Sequence, residues 1–201
     1  RNTYNIEKGS GMWLWKPYII YKHLCQLNKG DYLVYCDPGG FISSNPILKC
    51  WSKNKLKEYL NLINTNNYGT ITFENGFPEY KSTKYEIFQY FNVTNKPSFY
   101  ITQGRISNLH FIKKCDYTMD LYGTWWNIAK NNALLFDDCI CRSTIVNGFV
   151  ETRNEQSVWS LLCKTKCVPI CNDTPSRRPI RVSTRPIYEG PIDHNNLILE
   201  T

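Results

Sequence analysis

The stretch GSGMWLWKPYIIYKHLCQLNKGDYLVYCDPGG, residues 9–40, decides the fold class. Pro17 suits the first turn of a helix over residues 16–28, with Ile20, Leu24 and Leu27 on one apolar face. Gly30 stops that helix. Residues 31–36, DYLVYC, then read as a buried strand, which Asp37-Pro38-Gly39-Gly40 ends abruptly. The same alternation continues downstream. Ser52 is placed to cap a helix over 53–64, with Leu56, Tyr59, Leu60 and Ile63 facing inward. Residues 69–73 and 106–112 read as strands. Thr83 and Glu86 have the spacing of a capping box that opens a helix reaching residue 91. Asp116 is a cap candidate for a helix to residue 131 that carries Trp125 and Trp126. A last helix is predicted over 153–166, with Val158, Leu161 and Leu162 apolar.

Strands alternating with helices predict one α/β domain over residues 1–170, an α/β/α sandwich with a mostly parallel central sheet. Residues 171–201 read as an irregular, basic segment rich in Pro, Arg and Asn. In an open parallel sheet, ligands bind beyond the carboxyl ends of the strands. That rule singles out Asp37, a carboxylate where a strand stops, followed by glycines that let a ligand approach the backbone.

The chain has 201 residues, 42% of them hydrophobic and 14% aromatic, which suits a globular core and excludes a disordered segment. No uncharged apolar run approaches the roughly 18 residues needed to span a bilayer, and no secretory leader is visible. A cytoplasmic location is therefore expected. The start at Arg1, without Met, suggests that the sequence is truncated at its N-terminus. The nine cysteines read as reduced thiols rather than a disulfide framework. Cys163, Cys167 and Cys171 recur every four residues, but no paired C-x-x-C accompanies them, so structural zinc is the weaker reading. A net charge of +7 favours partners bearing phosphate or other anionic groups, and Arg177, Arg178, Arg181 and Arg185 form its densest cluster. The chain carries no RRM, KH or helix-turn-helix signature, so nucleic acid is not expected as a partner.

Residues 9–20, GSGMWLWKPYII, and 31–39, DYLVYCDPG, resemble a family of small GT-A-type glycosyltransferases from bacterial surface-polysaccharide loci and large DNA viruses. That family carries G-Y-W-x-W-K-P-Y-I-I, then a helix, then a strand ending Y-x-D-x-G. Residues 153–164, RNEQSVWSLLCK, resemble its H-R-x-D-Q-S-x-x-S-L-L-C-K, and Thr83-Lys84-Tyr85-Glu86 its T-K-x-D. The matches span roughly residues 9–166. Glu86 and Glu155 stand where the family has Asp, and Thr152 stands where it has His. The resemblance implies a GT-A-like sandwich whose first nucleotide-binding strand would precede Arg1. It also implies transfer of a sugar from a nucleotide-sugar donor to a glycan or other hydroxyl acceptor, in polysaccharide biosynthesis.

A nucleotide-sugar donor develops negative charge on its diphosphate and positive charge on its anomeric carbon as the bond breaks. Mn²⁺ or Mg²⁺ held by Asp37 would meet the first need; alternatively Asp37 binds the ribose without metal, or is only a turn residue. Lys16 reads either as a phosphate contact or as an exposed first-turn lysine. Trp13 and Trp15 are either stacking surfaces or core. Gly39 would lie against the donor. Glu155 and Gln156 are the catalytic candidates, as acceptor base and sugar ligand, unless Glu155 only offsets the helix dipole. Arg153 is a phosphate candidate, and Glu86 is either a site carboxylate or a cap. The alternatives to an active transferase are an inactive sugar-nucleotide-binding domain, a carbohydrate hydrolase, and, less well supported, a basic nucleic-acid-binding module.

Overall fold

A computed structural model describes residues 8–37, 40–42, 46–139, 146–173 and 180–182; for 40–42, 46–53 and 180–182 it gives the backbone course alone. In chain order the elements are α1 (Gly9–Met12), α2 (Trp15–Gln26), β1 (Tyr32–Cys36), β2 (Gly40–Ile42), α3 (Pro46–Thr65), β3 (Thr70–Ile71) and β4 (Glu74–Pro78). There follow α4 (Tyr85–Tyr90), α5 (Pro97–Ile101), β5 (Gln103–Arg105), β6 (Leu109–Lys113), α6 (Asp116–Asn131), α7 (Asn154–Thr165) and β7 (Ile180–Val182). The fold is mixed α/β, and none of the described helices is long and apolar enough to cross a membrane.

The expected mostly parallel sheet does not form. The three named sheets are antiparallel: β1–β6–β3, β2–β7 and β4–β5. The physical reason is the placement of β6. Because β1 and β3 each run antiparallel to β6, they are parallel to each other, as a strand–helix–strand crossover through α3 requires. β6 occupies the slot between them and takes their hydrogen bonds. The parallel contact that does occur is an isolated bridge between Thr72 and Ile170.

β6 also sets the layers. Leu109 and Phe111 face Tyr59 and Ile63 of α3, together with Ile71, Phe73 and Cys171. On the other face, Ile112 joins a larger core of Ile20 and Leu24 from α2, Leu121, Trp125 and Ile128 from α6, and Val158, Trp159 and Leu162 from α7. The period of two along one strand thus separates two helical layers. Cys163 lies in the larger core and Cys171 in the smaller, while Cys167 is exposed, so the evenly spaced cysteines do not converge on a zinc site.

Three local expectations are corrected. Thr83 does not cap α4: its hydroxyl donates to buried Glu79 at 2.7 Å, and Lys84 occupies the cap position. Cys115, not Asp116, caps α6, where its backbone N–H donates to Thr118 Oγ1 at 2.9 Å. The segment after residue 170 is not wholly irregular. Cys171 N–H donates to the Thr72 carbonyl at 2.8 Å, Asp173 accepts from Tyr59, and β7 pairs with β2.

His110 alternates onto the larger core, where it is 1% exposed among Tyr122, Trp125 and Trp159. Its Nε2 lies 2.9 Å from the Ser107 carbonyl and its Nδ1 3.0 Å from the Tyr122 hydroxyl. A carbonyl only accepts, so Nε2 carries a proton, and in the neutral ring Nδ1 accepts from the Tyr122 hydroxyl. Burial, with the Lys16 ammonium adding to it, holds the imidazole pKa down to about 3 against the opposing Ser107 bond. An unfolded histidine takes its proton near pH 6.5, before the folded one does. This contribution to stability is therefore complete above about pH 6.5 and is lost as pH falls toward 3, at about 1.4 kcal/mol per pH unit. Between pH 6.5 and 5, urea unfolding should show about 2 kcal/mol of loss from this residue. His110→Gln should remove that part of the slope, and parallel pH profiles for the two proteins would contradict the assignment.

Candidate functional site

The site begins with an unusual turn. Gly9, Ser10, Gly11, Met12 and Trp13 all have positive φ, from 50° to 95°, so α1 is a single left-handed turn. Met12 N–H donates to the Lys8 carbonyl at 2.8 Å and Trp13 N–H to Gly9 at 3.1 Å. Left-handed backbone disfavours every residue except glycine, by roughly 1–2 kcal/mol each. Packing therefore has to hold Ser10, Met12 and Trp13 there. The indole of Trp13 covers Gly9 so closely that a Cβ on Gly9 would sit 2.3 Å from the ring. Trp15 Nε1 donates to the Gly9 carbonyl at 3.0 Å, and Met12 and Leu14 are buried.

The turn delivers Lys16 into the interior. Lys16 is 1% exposed, which removes the reading of an exposed first-turn lysine. Its Nζ lies 2.6 Å from Glu155 Oε1, 3.0 Å from Asp37 Oδ1 and 3.4 Å from the Ser107 carbonyl. Residues from three distant parts of the sequence thus share one ammonium. Asp37 Oδ1 also accepts from the Tyr35 hydroxyl at 2.7 Å, and Glu155 Oε1 from Ser107 Oγ at 2.9 Å. Burial, reinforced by the Asp37 carboxylate, pushes the Tyr35 phenol far up, so it stays a proton donor.

The β1–β6 register explains the meeting point. Cys36 pairs with Leu109, so the residue after β1 lies beside the residues before β6, and Asp37 N–H donates to the Asn108 carbonyl at 2.9 Å. Glu155 arrives from the first turn of α7. That turn is anchored by Asn154, whose φ is +45° and whose Nδ2 donates to the Phe136 carbonyl at 2.7 Å and Asp138 at 3.0 Å. Ser157 Oγ secures the other side through the Ser82 carbonyl and the Arg153 N–H.

A cleft of about 490 Å³ opens over this cluster. Trp13, Asp37, Arg153, Glu155 and Gln156 line it, together with Lys8, Phe77, Ser107, Asn108 and Thr152. Arg153 stacks 5.5 Å from the ring centroid of Phe77, which β4 presents at the rim. Five of the site residues expected from sequence therefore share one cleft, and Lys16 lies directly behind two of them. Trp15 does not line it; its indole secures the turn instead. Glu86, in the first turn of α4, is not part of the cleft lining. Gly39, Arg177, Arg178 and Arg185 fall outside the described residues, and Arg181 is described as backbone alone.

Ser107, Tyr35, Asn108 and Phe77 escaped the sequence reading. The period of two in YLVYC places Tyr35 on the opposite face from Tyr32 and Val34, the one available hint. Ser107 and Asn108 belong to no motif and reach the site through strand register alone.

Asp37 offers one carboxylate to the cleft, and its side chain keeps 25% exposure. The described residues contain no cluster of three or more His, Cys, Asp or Glu that could hold an ion. A divalent cation fits here only as a metal–nucleotide complex, with donor phosphates and water completing its shell. Compared with known proteins, the chain matches no family model, no curated protein and no solved structure.

Removing the buried ammonium leaves two carboxylates facing each other without their cation. Lys16→Met should therefore destabilise the protein by roughly 3–5 kcal/mol in urea unfolding. A change below about 1 kcal/mol would mean that the triad is not buried as described. Gly9→Ala should cost at least about 1–2 kcal/mol, since it adds both left-handed strain and a clash with Trp13.

Proposed function

We propose that the chain is the core of a glycosyltransferase that moves a sugar from a nucleotide-sugar donor to a hydroxyl acceptor. The observation that carries the reading is the convergence of Lys16, Asp37 and Glu155 at one cleft wall. One ammonium against two carboxylates leaves that wall with one net negative charge, in a setting of low dielectric. Such a wall favours the positive charge that builds on an anomeric carbon as its bond to phosphate breaks. It disfavours the phosphate itself.

The diphosphate goes in this reading to the basic side chains of the lining, Arg153 and Lys8, each in a partly exposed ion pair, with Glu151 at 3.8 Å and Asp138 at 2.8 Å. Exposed pairs of this kind are worth little, so exchanging their carboxylates for a donor phosphate is inexpensive. Trp13 supplies an apolar ring for the sugar or the base. Both side-chain bonds to Glu155 fall on Oε1, which leaves Oε2 to take the proton of an acceptor hydroxyl. Gln156, beside it, offers an amide to sugar hydroxyls.

Where Mn²⁺ or Mg²⁺ accompanies the donor, Asp37 would hold the cation, and the ion would offset the negative charge of this wall and let the diphosphate approach it. The GT-A-like architecture belongs to the same proposal, supported by the helical layers packed on both faces of β6.

A second reading, binding of sugar nucleotides without transfer, is favoured by the fact that Lys16 holds both carboxylates. Thermal-shift titration with UDP-, GDP- and dTDP-linked sugars, with and without Mn²⁺, followed by donor turnover, separates the two. Transfer predicts a stabilising donor that is consumed, and at least a hundredfold loss of turnover in Asp37→Asn with the fold retained. Donor binding with no turnover by the unaltered protein supports the second reading. Unchanged turnover in Asp37→Asn would sink the role given to Asp37.

A further inference from the structure

Two polar atoms of the cleft have no hydrogen-bond partner among the described residues: Thr152 Oγ1 and Asn108 Oδ1. Both atoms are buried, both residues line the cleft, and Thr152 as a whole is only 6% exposed. Buried polar groups are almost always paired in folded proteins, and a hydroxyl shut away from water without a partner is costly. Here the two belong to a cleft already lined by Asp37, Glu155, Ser107 and Gln156.

Their chemistry limits the ligand. The amide oxygen of Asn108 only accepts, and so do the carboxylates of Asp37 and Glu155. The Thr152 hydroxyl can donate or accept. A phosphate or carboxylate brings acceptors of its own and meets like charge on this wall. A molecule carrying several hydroxyls brings O–H donors for these acceptors, and its ring carbons suit the face of Trp13. The backbone keeps both groups in place. Asn108 is tied by its carbonyl to the Asp37 N–H at 2.9 Å, and Thr152 directly precedes Arg153, whose N–H donates to the Ser82 carbonyl at 3.1 Å.

We propose that Thr152 and Asn108 form a sugar-hydroxyl subsite of the cleft, their side chains turning from the buried position to take a pyranose ring through its O–H groups while the nucleotide phosphates stay near Arg153. This rests on the reading of the cleft as a sugar-transfer site and adds which residues select the sugar. In that light, Thr152 is a specificity-determining residue.

The test uses the full chain and methyl glycosides of glucose, galactose, mannose and N-acetylglucosamine, titrated while amide chemical shifts are followed. At least one glycoside should shift the amides of Thr152, Asn108 and Gln156 at millimolar concentration. Thr152→Val, which keeps the shape and removes the hydroxyl, should weaken that glycoside about tenfold. Thr152→Ser should bind within about twofold of the unaltered protein, and Asn108→Leu repeats the loss from the second residue. UDP affinity should stay unchanged in Thr152→Val and Thr152→Ser. The subsite is refuted if no glycoside binds, if Thr152→Val binds the glycoside as the unaltered protein does, or if UDP binding falls together with glycoside binding. Glycoside titration does not depend on turnover. A protein that binds glycosides but consumes no donor would fail as a transferase and still keep the subsite.

Discussion

An ammonium group with 1% exposure cannot exist in a protein interior unless opposite charge meets it, and Lys16 meets it twice. The geometry of the whole cleft follows from that requirement. Lys16 belongs to α2, Asp37 to the end of β1 and Glu155 to the start of α7, so satisfying one cation fixes three segments at once. Neither carboxylate can withdraw without leaving buried charge uncompensated. Burying such a triad is weak as a source of net stability, since desolvation offsets much of the attraction. Its effect is positional: it holds two carboxylates against one wall, where like charges would otherwise drive them apart.

Further bonds stiffen this arrangement from behind. Tyr35 holds Asp37, Ser107 holds Glu155, and neutral His110 holds the Ser107 carbonyl. The chain of contacts therefore runs from the aromatic core at Tyr122 out to the cleft. A cluster supported in this way changes little when a ligand arrives, which is what electrostatic stabilisation of a developing charge demands.

Much of this was legible in the amino-acid sequence, and for identifiable reasons. The apolar periodicity of residues 16–28 and 116–131 gives α2 and α6 to within two residues, because an amphipathic face over several turns is a strong signal. Asp37 could be picked out because a strand followed by Pro-Gly-Gly announces its own end. What could not be read was the pairing. Nothing local in LHFIK says that β6 will insert between β1 and β3, because strand order is decided by long-range packing rather than by propensity. The three-residue strands β2, β5 and β7 carry too few residues to show any period. Thr83 looked like a cap because spacing alone cannot reveal that buried Glu79 competes for its hydroxyl. Ser107 and Asn108 lie in the site only through register, so no motif could announce them.

Several departures from local rules lie around the cleft. Five left-handed residues precede Lys16, Asn154 has positive φ beside Glu155, and Thr152 and Asn108 keep unpaired polar atoms. Others lie elsewhere: Asn92 and Cys167 also have positive φ, and Arg105 Nε, Trp125 Nε1 and Trp159 Nε1 are buried without a hydrogen-bond partner among the described residues. The run of five left-handed residues before Lys16, held by buried side chains, is the pattern expected when a site needs a geometry that an ideal fold would not supply. That turn delivers Lys16 to the same wall, with Asp37 and Glu155, that the sequence motifs single out, and Asn108, which belongs to no motif, lines the cleft beside it.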